Sequence, residues 1–263
     1  MKKPLLILLS WSIGQALTGC VVYMPMQCAA PHLTDRKQGE ITASTYLNDR
    51  YDFAGAYSPV RHLLVRATYS TLSNNSNDST YYRGHQYDVG VGTYWRLGNR
   101  WLVGGLGGFG QAHSAAAFSR TGIFFPSTQY AYDTRYNKVF GEAYATFQAN
   151  EAISFGAAYR VTQVNFTSLT DHDVPIDLRQ MTRSEPMVYF RVRLGDGPTE
   201  HRPVQLQVAW GSSATFGYNA NDPNTSYPAG VRDLKQNRGY TTVGISLFPH
   251  CLFRQAQPAP ELR

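Results

Sequence analysis

Ten charged side chains of this sequence stand where they could meet in one enclosed space. Each lies in a stretch of alternating polar and apolar residues, on the polar side of the alternation. Paired carboxylates and cations can fill a narrow interior as salt bridges, whereas unpaired ones can line a path for solutes. We favour the salt-bridged filling over a conducting path. The set consists of Glu40, Asp52, Arg66, Asp88, Arg96, Lys138, Glu142, Arg160, Arg191 and Arg193.

A second candidate for chemistry is the run Asp171-His172-Asp173. A histidine beside a carboxylate can act as a general base or bind a metal ion. The same three residues in a polar loop are more often a solvated turn. The chain has no Gly-x-Ser-x-Gly stretch and no second histidine motif. The sequence therefore predicts no catalytic residue, no metal site and no cofactor, and we expect that the protein is not an enzyme.

The clearest structural element is the stretch from Gln86 to Gln111. Its first half places the apolar Tyr87, Val89, Val91 and Trp95 on one face of a strand, because successive strand side chains point to opposite sides. The other face carries charges and glycines. The turn near Gly98 then predicts a hairpin.

Comparable segments recur along the chain and predict about ten strands, separated alternately by short turns and mostly long loops. Only 16% of the residues are charged and 13% are aromatic, while a mean hydropathy of −0.34 excludes a bundle of transmembrane helices. Faces that lack charge on one side and carry it on the other are typical of a closed antiparallel up-and-down transmembrane β-barrel of the bacterial outer membrane. Long loops are expected at 73–80, 114–129, 167–186 and 212–237.

The two ends of the chain predict export and a lipid anchor. Residues 1–19 are predicted to be a lipoprotein signal peptide, because Lys2 and Lys3 precede an apolar run that is too short to span a membrane. Leu17-Thr18-Gly19-Cys20 resembles a bacterial lipobox, so Cys20 is the expected lipidation site. Residues 20–38 are then a lipid-anchored periplasmic linker, 39–248 the barrel and 249–263 a disordered periplasmic tail. Both termini would lie in the periplasm, with the anchor in the inner leaflet of the outer membrane.

The expected partner is outer-membrane lipid, and we expect no nucleic acid, since a net charge of +6 comes without a run of basic residues. Cys28 and Cys251 flank the strand region and can form a disulfide in an exported protein or stay as two free thiols. Aromatic residues towards both ends of the strands predict girdles at the membrane interfaces. They are Tyr81, Tyr82, Tyr130, Tyr132 and Trp210 towards the long loops, and Tyr57, Trp95, Trp101 and Phe147 towards the turns.

The lipobox, the Gly39-Glu40 start of the first strand and the tyrosine-rich hairpins resemble outer-membrane β-barrel lipoproteins of Bacteroidetes, over Cys20 to Phe248. That resemblance implies no enzyme activity. Phe248 departs from the usual barrel ending, because it has the parity of the inward residues. The leading hypothesis is a lipid-anchored barrel with a filled lumen that acts in envelope structure or surface interaction. The alternatives are a narrow channel for small solutes and a rim hydrolase or lipid-modifying enzyme.

Overall fold

The structure, a computed structural model, describes residues 22–46, 49–77, 80–120, 128–195, 202–219 and 229–252. The predicted signal peptide, the proposed lipidation site at Cys20 and residues 253–263 lie outside this part of the chain. Within it, ten long strands, one two-residue strand (Val174–Pro175) and two short helices account for most residues. The strands are β1 Gln38–Tyr46, β2 Arg50–Ser58, β3 Leu64–Asn77, β4 Thr80–Leu97, β5 Trp101–Arg120, β6 Thr128–Gln148, β7 Ile153–Asp171, β8 Gln180–Leu194, β9 Val204–Thr215 and β10 Arg238–Leu247.

The strands close into a ten-stranded antiparallel barrel, as the sequence predicts. Every strand pairs with its neighbours in the chain, and β1 also pairs with β10, so that Ala43 lies between Phe53 on one side and Ile245 on the other. Closure removes the sheet edges that would leave backbone groups without partners in lipid. The chain therefore needs no second layer to complete its hydrogen bonding.

The outer wall carries a continuous apolar band. On β4 this band runs from Trp95 to Tyr87 and on β5 from Trp101 to Phe109, each eight residues along the strand. At ~3.4 Å per residue and a tilt of about 40°, such a stretch spans ~21 Å between its end residues along the barrel axis. With the end side chains included, this is close to the apolar height of about 25 Å that outer-membrane barrels present to lipid.

The strands continue beyond this band at the end of the barrel where we expected long loops. The segments 73–80 and 114–129 were predicted to be loops, but β3 extends to Asn77 and β5 to Arg120. The prediction was wrong because the polar residues of these segments still form backbone hydrogen bonds with the neighbouring strand, and such bonds do not require an apolar face. We call this end, with the connections β1–β2, β3–β4, β5–β6, β7–β8 and β9–β10, the long-loop end, and the opposite one the short-turn end.

Two short helices lie at opposite ends of the barrel. Helix α1 (Ala229–Lys235) belongs to the β9–β10 connection at the long-loop end. Helix α2 (Pro249–Leu252) follows β10 at the short-turn end, where we expected a disordered tail to begin. Among the described residues, no helix has the length and apolar character required to cross a membrane.

Candidate functional site: the plugged lumen

The segment from Val22 to Thr34 lies inside the barrel and was wrongly predicted to be a periplasmic linker. Val22 packs at the long-loop end in one cluster with Phe118 and Tyr132. Leu33 belongs to a second buried cluster, with Tyr94 and Leu102, towards the short-turn end. The chain therefore crosses the lumen from the long-loop end to the short-turn end before β1 begins. We call residues 22–34 the plug.

The plug is held mainly by wall side chains that bond to its backbone. Along its length, Gln86 donates to the Met24 carbonyl over 3.1 Å and Arg50 donates to the Pro25 carbonyl over 2.7 Å. Three of its N–H groups donate in turn to wall side chains. Gln27 donates to the Tyr46 hydroxyl, Ala29 to the Glu142 carboxylate and His32 to the Glu40 carboxylate. An extended segment has no internal hydrogen bonds, so these wall groups supply the partners that buried backbone requires.

The centre of the lumen holds a charge network predicted from the sequence. Lys138 Nζ lies 2.7 Å from Asp88 Oδ1, and Arg160 bridges Asp88 Oδ2 at 3.1 Å and Glu142 Oε2 at 2.7 Å. All four side chains are buried. Two cations against two carboxylates give a neutral cluster, in which each charge has the partner that burial demands.

The other predicted lumen residues also face inward, at several levels. Asp52 pairs with Arg50 over 3.3 Å, Glu40 accepts hydrogen bonds from the backbone of His32 and from Ser246, and Arg66 lines a small cavity beside the plug. Arg191 and Arg193 are buried on β8, and Arg193 lies over the Phe248 ring at 3.8 Å. Arg96 shares the inward parity of Asp88 but is exposed, because it stands at the short-turn mouth.

Sequence analysis missed four buried charges. Arg50 and Arg238 are the first residues of β2 and β10 and were not assigned to a polar strand face, while Arg183 and Glu185 lie in the segment 167–186 that was predicted to be a loop. Glu185 accepts hydrogen bonds from Tyr23 and Thr162, each over 2.8 Å, and Arg183 donates to Ser213. For Arg183 and Glu185 a signal was present, because both share the odd-numbered parity of Arg191 on β8.

Inward glycines make room for the large side chains of the lumen. A Cβ added at Gly104 would lie 2.5 Å from the Tyr144 ring of the neighbouring strand, and one at Gly110 would collide with the Asp88 carboxylate. The glycine run of β5 therefore has a packing role, because a neighbouring side chain takes the volume that the glycine leaves empty.

The long-loop end of the lumen is closed by an apolar cap. Val231 and Leu234 of α1 pack with Val22 and Phe118 in one buried cluster. Tyr82, Tyr130 and Tyr132, which we predicted for the outer girdle, also contact this cap, because their even numbers point them inward. The girdle towards the long loops is formed by exposed outer-wall aromatics, which are the predicted Trp210 together with Tyr51, Tyr69, Tyr87 and Tyr159.

Cys28 and Cys251 are both buried and are not joined by the disulfide that was one of the two expectations. Cys28 lies in the plug, and its Sγ is 3.7 Å from the Glu185 carbonyl oxygen. Cys251 lies in α2 at the short-turn end. The disulfide alternative fails because it treated the segment that contains Cys28 as remaining outside the barrel.

The Asp171-His172-Asp173 run forms the tight turn after β7. His172 and Asp173 have φ angles of 49° and 62°, and a two-residue strand, Val174–Pro175, returns along β7. Asp171 Oδ1 accepts the Ala131 N–H over 2.9 Å and lies 2.9 Å from His172 Nδ1. This geometry gives the carboxylate a role in fixing the turn. Within the described part of the chain, no cluster of three His, Cys, Asp or Glu residues could hold a metal ion.

No protein-family model and no curated protein matches this chain. Among solved structures, the N-terminal β-barrel domain of Pseudomonas aeruginosa OprF is 8% identical and covers 81% of this chain and 98% of its own, with a TM-score of 0.33. The translocator domain of autotransporter NalP from Neisseria meningitidis is 12% identical and covers 80% and 86%, with a TM-score of 0.39.

The outer membrane protease OmpT from Escherichia coli is 11% identical, covers 81% of this chain and 94% of its own, and has a TM-score of 0.38. Likenesses this distant say nothing about activity. The conclusion that stands on the geometry above is a closed ten-stranded antiparallel barrel with its own N-terminal segment in the lumen.

Proposed function

We propose that this chain is a lipid-anchored outer-membrane β-barrel whose lumen is closed by the plug, and that it acts in envelope structure or surface interaction through its long-loop end. The observation that carries the proposal is the plug itself. An open channel for small solutes is the alternative, and the assignment to the barrel lipoproteins of Bacteroidetes is part of the proposal.

Membrane residence is supported by the outer wall. Val91, Phe109 and Ile245 are each at least half exposed, on three different strands of the barrel. Contiguous apolar surface of this extent is costly in water, and monomeric soluble proteins rarely expose it. Within the apolar band the charged side chain on β4, Asp88, points inward, which is the reverse of a soluble barrel.

A closed lumen is supported by the space that remains beside the plug. The cavity between the plug and β1–β3 has a volume of about 30 Å³, enough for one or two water molecules. At the long-loop end, the apolar cap adds a second barrier. We therefore expect that a hydrated ion or a sugar finds no continuous route through the described part of the lumen.

The path of the plug also bears on the lipid anchor. Val22 lies at the long-loop end, and two residues span at most ~7 Å, so a lipid on Cys20 would be held near that end. We therefore propose that the anchor lies in the leaflet around the long loops, instead of the inner leaflet beside the chain's short turns. Acyl chains there would hold the plug at its outer end.

Planar-bilayer recording of the purified full chain tests the closed lumen. We expect no steady openings, whereas steady openings that change when Arg191 or Arg193 is replaced would favour the channel. Labelling cells with a fatty-acid probe, with Cys20→Ala as the control, tests the anchor separately. Heat-modifiable gel migration of both samples reports whether the barrel is folded.

A further inference from the structure

The short-turn end of the lumen holds buried hydrogen-bond donors that lack an acceptor among the described residues. Arg191 and Arg193 project inward from β8, directly across from Gln207 and Gln205 of β9. Arg191 Nε donates to Gln207 and Arg193 Nε to Gln205. Arg191 Nη1 and Gln205 Nε2 are buried without an acceptor among the described residues. A buried donor without a partner is costly, so this part of the lumen favours an added acceptor.

The plug adds a further polar group at the same level. The Nδ1 atom of His32 is buried and has no hydrogen-bond partner among the described residues. Arg96, Arg191 and Arg193 all lie within electrostatic range of its ring. The carboxylate beside them, Glu40, already accepts hydrogen bonds from the His32 N–H and the hydroxyls of Thr42 and Ser246.

An open cavity of about 430 Å³ lies at this mouth. Its lining includes the cations Arg96, Arg100 and Arg193 and the ring of His32, and Glu151 is the one carboxylate among its described lining residues. A volume in this range accommodates a small organic molecule. The lining therefore combines space for a ligand with an excess of positive charge.

The charge of the whole lumen points the same way. The described strands direct nine cationic and five anionic side chains inward, which leaves an excess of four positive charges, and the plug carries no Asp, Glu, Lys or Arg. A cleft of one sign with low-dielectric walls concentrates ions of the opposite sign. The cations are Arg50, Arg66, Arg96, Lys138, Arg160, Arg183, Arg191, Arg193 and Arg238, and the anions are Glu40, Asp52, Asp88, Glu142 and Glu185.

We propose that the short-turn mouth is a binding site for an oxyanion, the carboxylate or phosphate group of a soluble molecule or of a lipid headgroup. Arg96 and Arg193 are its charged ligands, and His32 forms its floor. Arginine suits this role, since its planar fork of donors matches both groups. The site requires the plug to be in place but neither the lipid anchor nor a surface role, so its test is separate from that of the proposed function.

Titration calorimetry of the full chain in non-ionic detergent, with inorganic phosphate as the probe at constant ionic strength, tests the site. We expect saturable binding that weakens at least tenfold in Arg96→Gln and is retained in Arg96→Lys. The matched control is Arg83→Gln, because Arg83 is exposed at the long-loop end and should not change the affinity. Gel migration before and after heating establishes that each variant is folded.

Binding that does not saturate, or that falls equally in Arg96→Gln and Arg83→Gln, would overturn the proposal. The source of the anion is distinguished by repeating the titration in bilayer discs. An equal affinity for phosphate in phosphatidylglycerol discs and in phosphatidylcholine discs indicates a soluble ligand. Phosphate binding to the unmodified chain that is weaker in phosphatidylglycerol discs than in phosphatidylcholine discs indicates that a headgroup occupies the site.

Discussion

The hydroxyl of Tyr23 donates a hydrogen bond to Glu185 Oε1 over 2.8 Å, and so joins the segment before the first strand to the inner wall of the eighth. Both side chains are buried, and Arg183 lies over the tyrosine ring at 5.2 Å. Glu185 thus ties the plug to the barrel, and the plug is part of the folded core.

Removing that hydroxyl tests how firmly the plug is held. We expect Tyr23→Phe to lower the free energy of unfolding by about 1–2 kcal/mol, since Glu185 loses one hydrogen bond and keeps those from Thr162 and Ser213. Urea titration in lipid vesicles, followed by tryptophan fluorescence, measures the change. Tyr51→Phe on the outer wall is the control, with an expected change below ~0.5 kcal/mol. Equal effects would place Tyr23 outside the core.

The central charge network predicts a large penalty for losing one member. Arg160→Met leaves Asp88 and Glu142 buried without their shared partner, so we expect a loss of about 3–5 kcal/mol in the free energy of unfolding. The same substitution at the exposed Arg135 should cost less than ~1 kcal/mol. The prediction is wrong if both variants unfold at the same urea concentration.

Packing of glycine against tyrosine predicts a contrast between two glycines. In Gly104→Ala the new methyl group would lie 2.5 Å from the Tyr144 ring, and we expect a loss of about 1–3 kcal/mol from overpacking. Gly141→Ala meets no atom within 4 Å and serves as the control. Comparing the two urea midpoints measures the contrast, and an unchanged midpoint for Gly104→Ala would mean that Tyr144 does not lie across β5.

The apolar band predicts a depth-dependent cost for a charge on the outer wall. Val91 lies midway between Tyr87 and Trp95, so Val91→Arg should lower stability in vesicles by about 2–4 kcal/mol. His85→Arg lies one outward position beyond Tyr87 and should cost ~0–1 kcal/mol. If the two variants refold equally well into vesicles, the band does not face lipid.

Much of the barrel could be predicted from the alternation of its residues. Once Val91, Val139 and Tyr159 are assigned to the outer face of their strands, the period of two places Asp88, Lys138 and Arg160 inside. The meeting of these three charges follows from register, which the short turns after Leu97 and Gln148 constrain.

The plug could not be predicted by the same reasoning, because residues 22–34 have no period of two or of 3.6 residues. Their backbone is satisfied by distant side chains such as Arg50 and Gln86, which no local pattern encodes. One signal was available. Residues 21–34 contain no Asp, Glu, Lys or Arg, whereas a solvated linker is usually rich in polar and charged residues.

The most direct test of the plugged lumen is the reactivity of Cys28. Cys28 is 1% exposed in the folded barrel. The substitutions Cys20→Ser and Cys251→Ala leave it as the only cysteine of the chain. We expect a bulky maleimide to leave Cys28 unmodified until urea unfolds the protein. In a control variant that carries Arg36→Cys as its only cysteine, the same reagent should modify the exposed thiol at once. Rapid modification of Cys28 in the folded, heat-modifiable barrel would show that the segment lies outside the lumen.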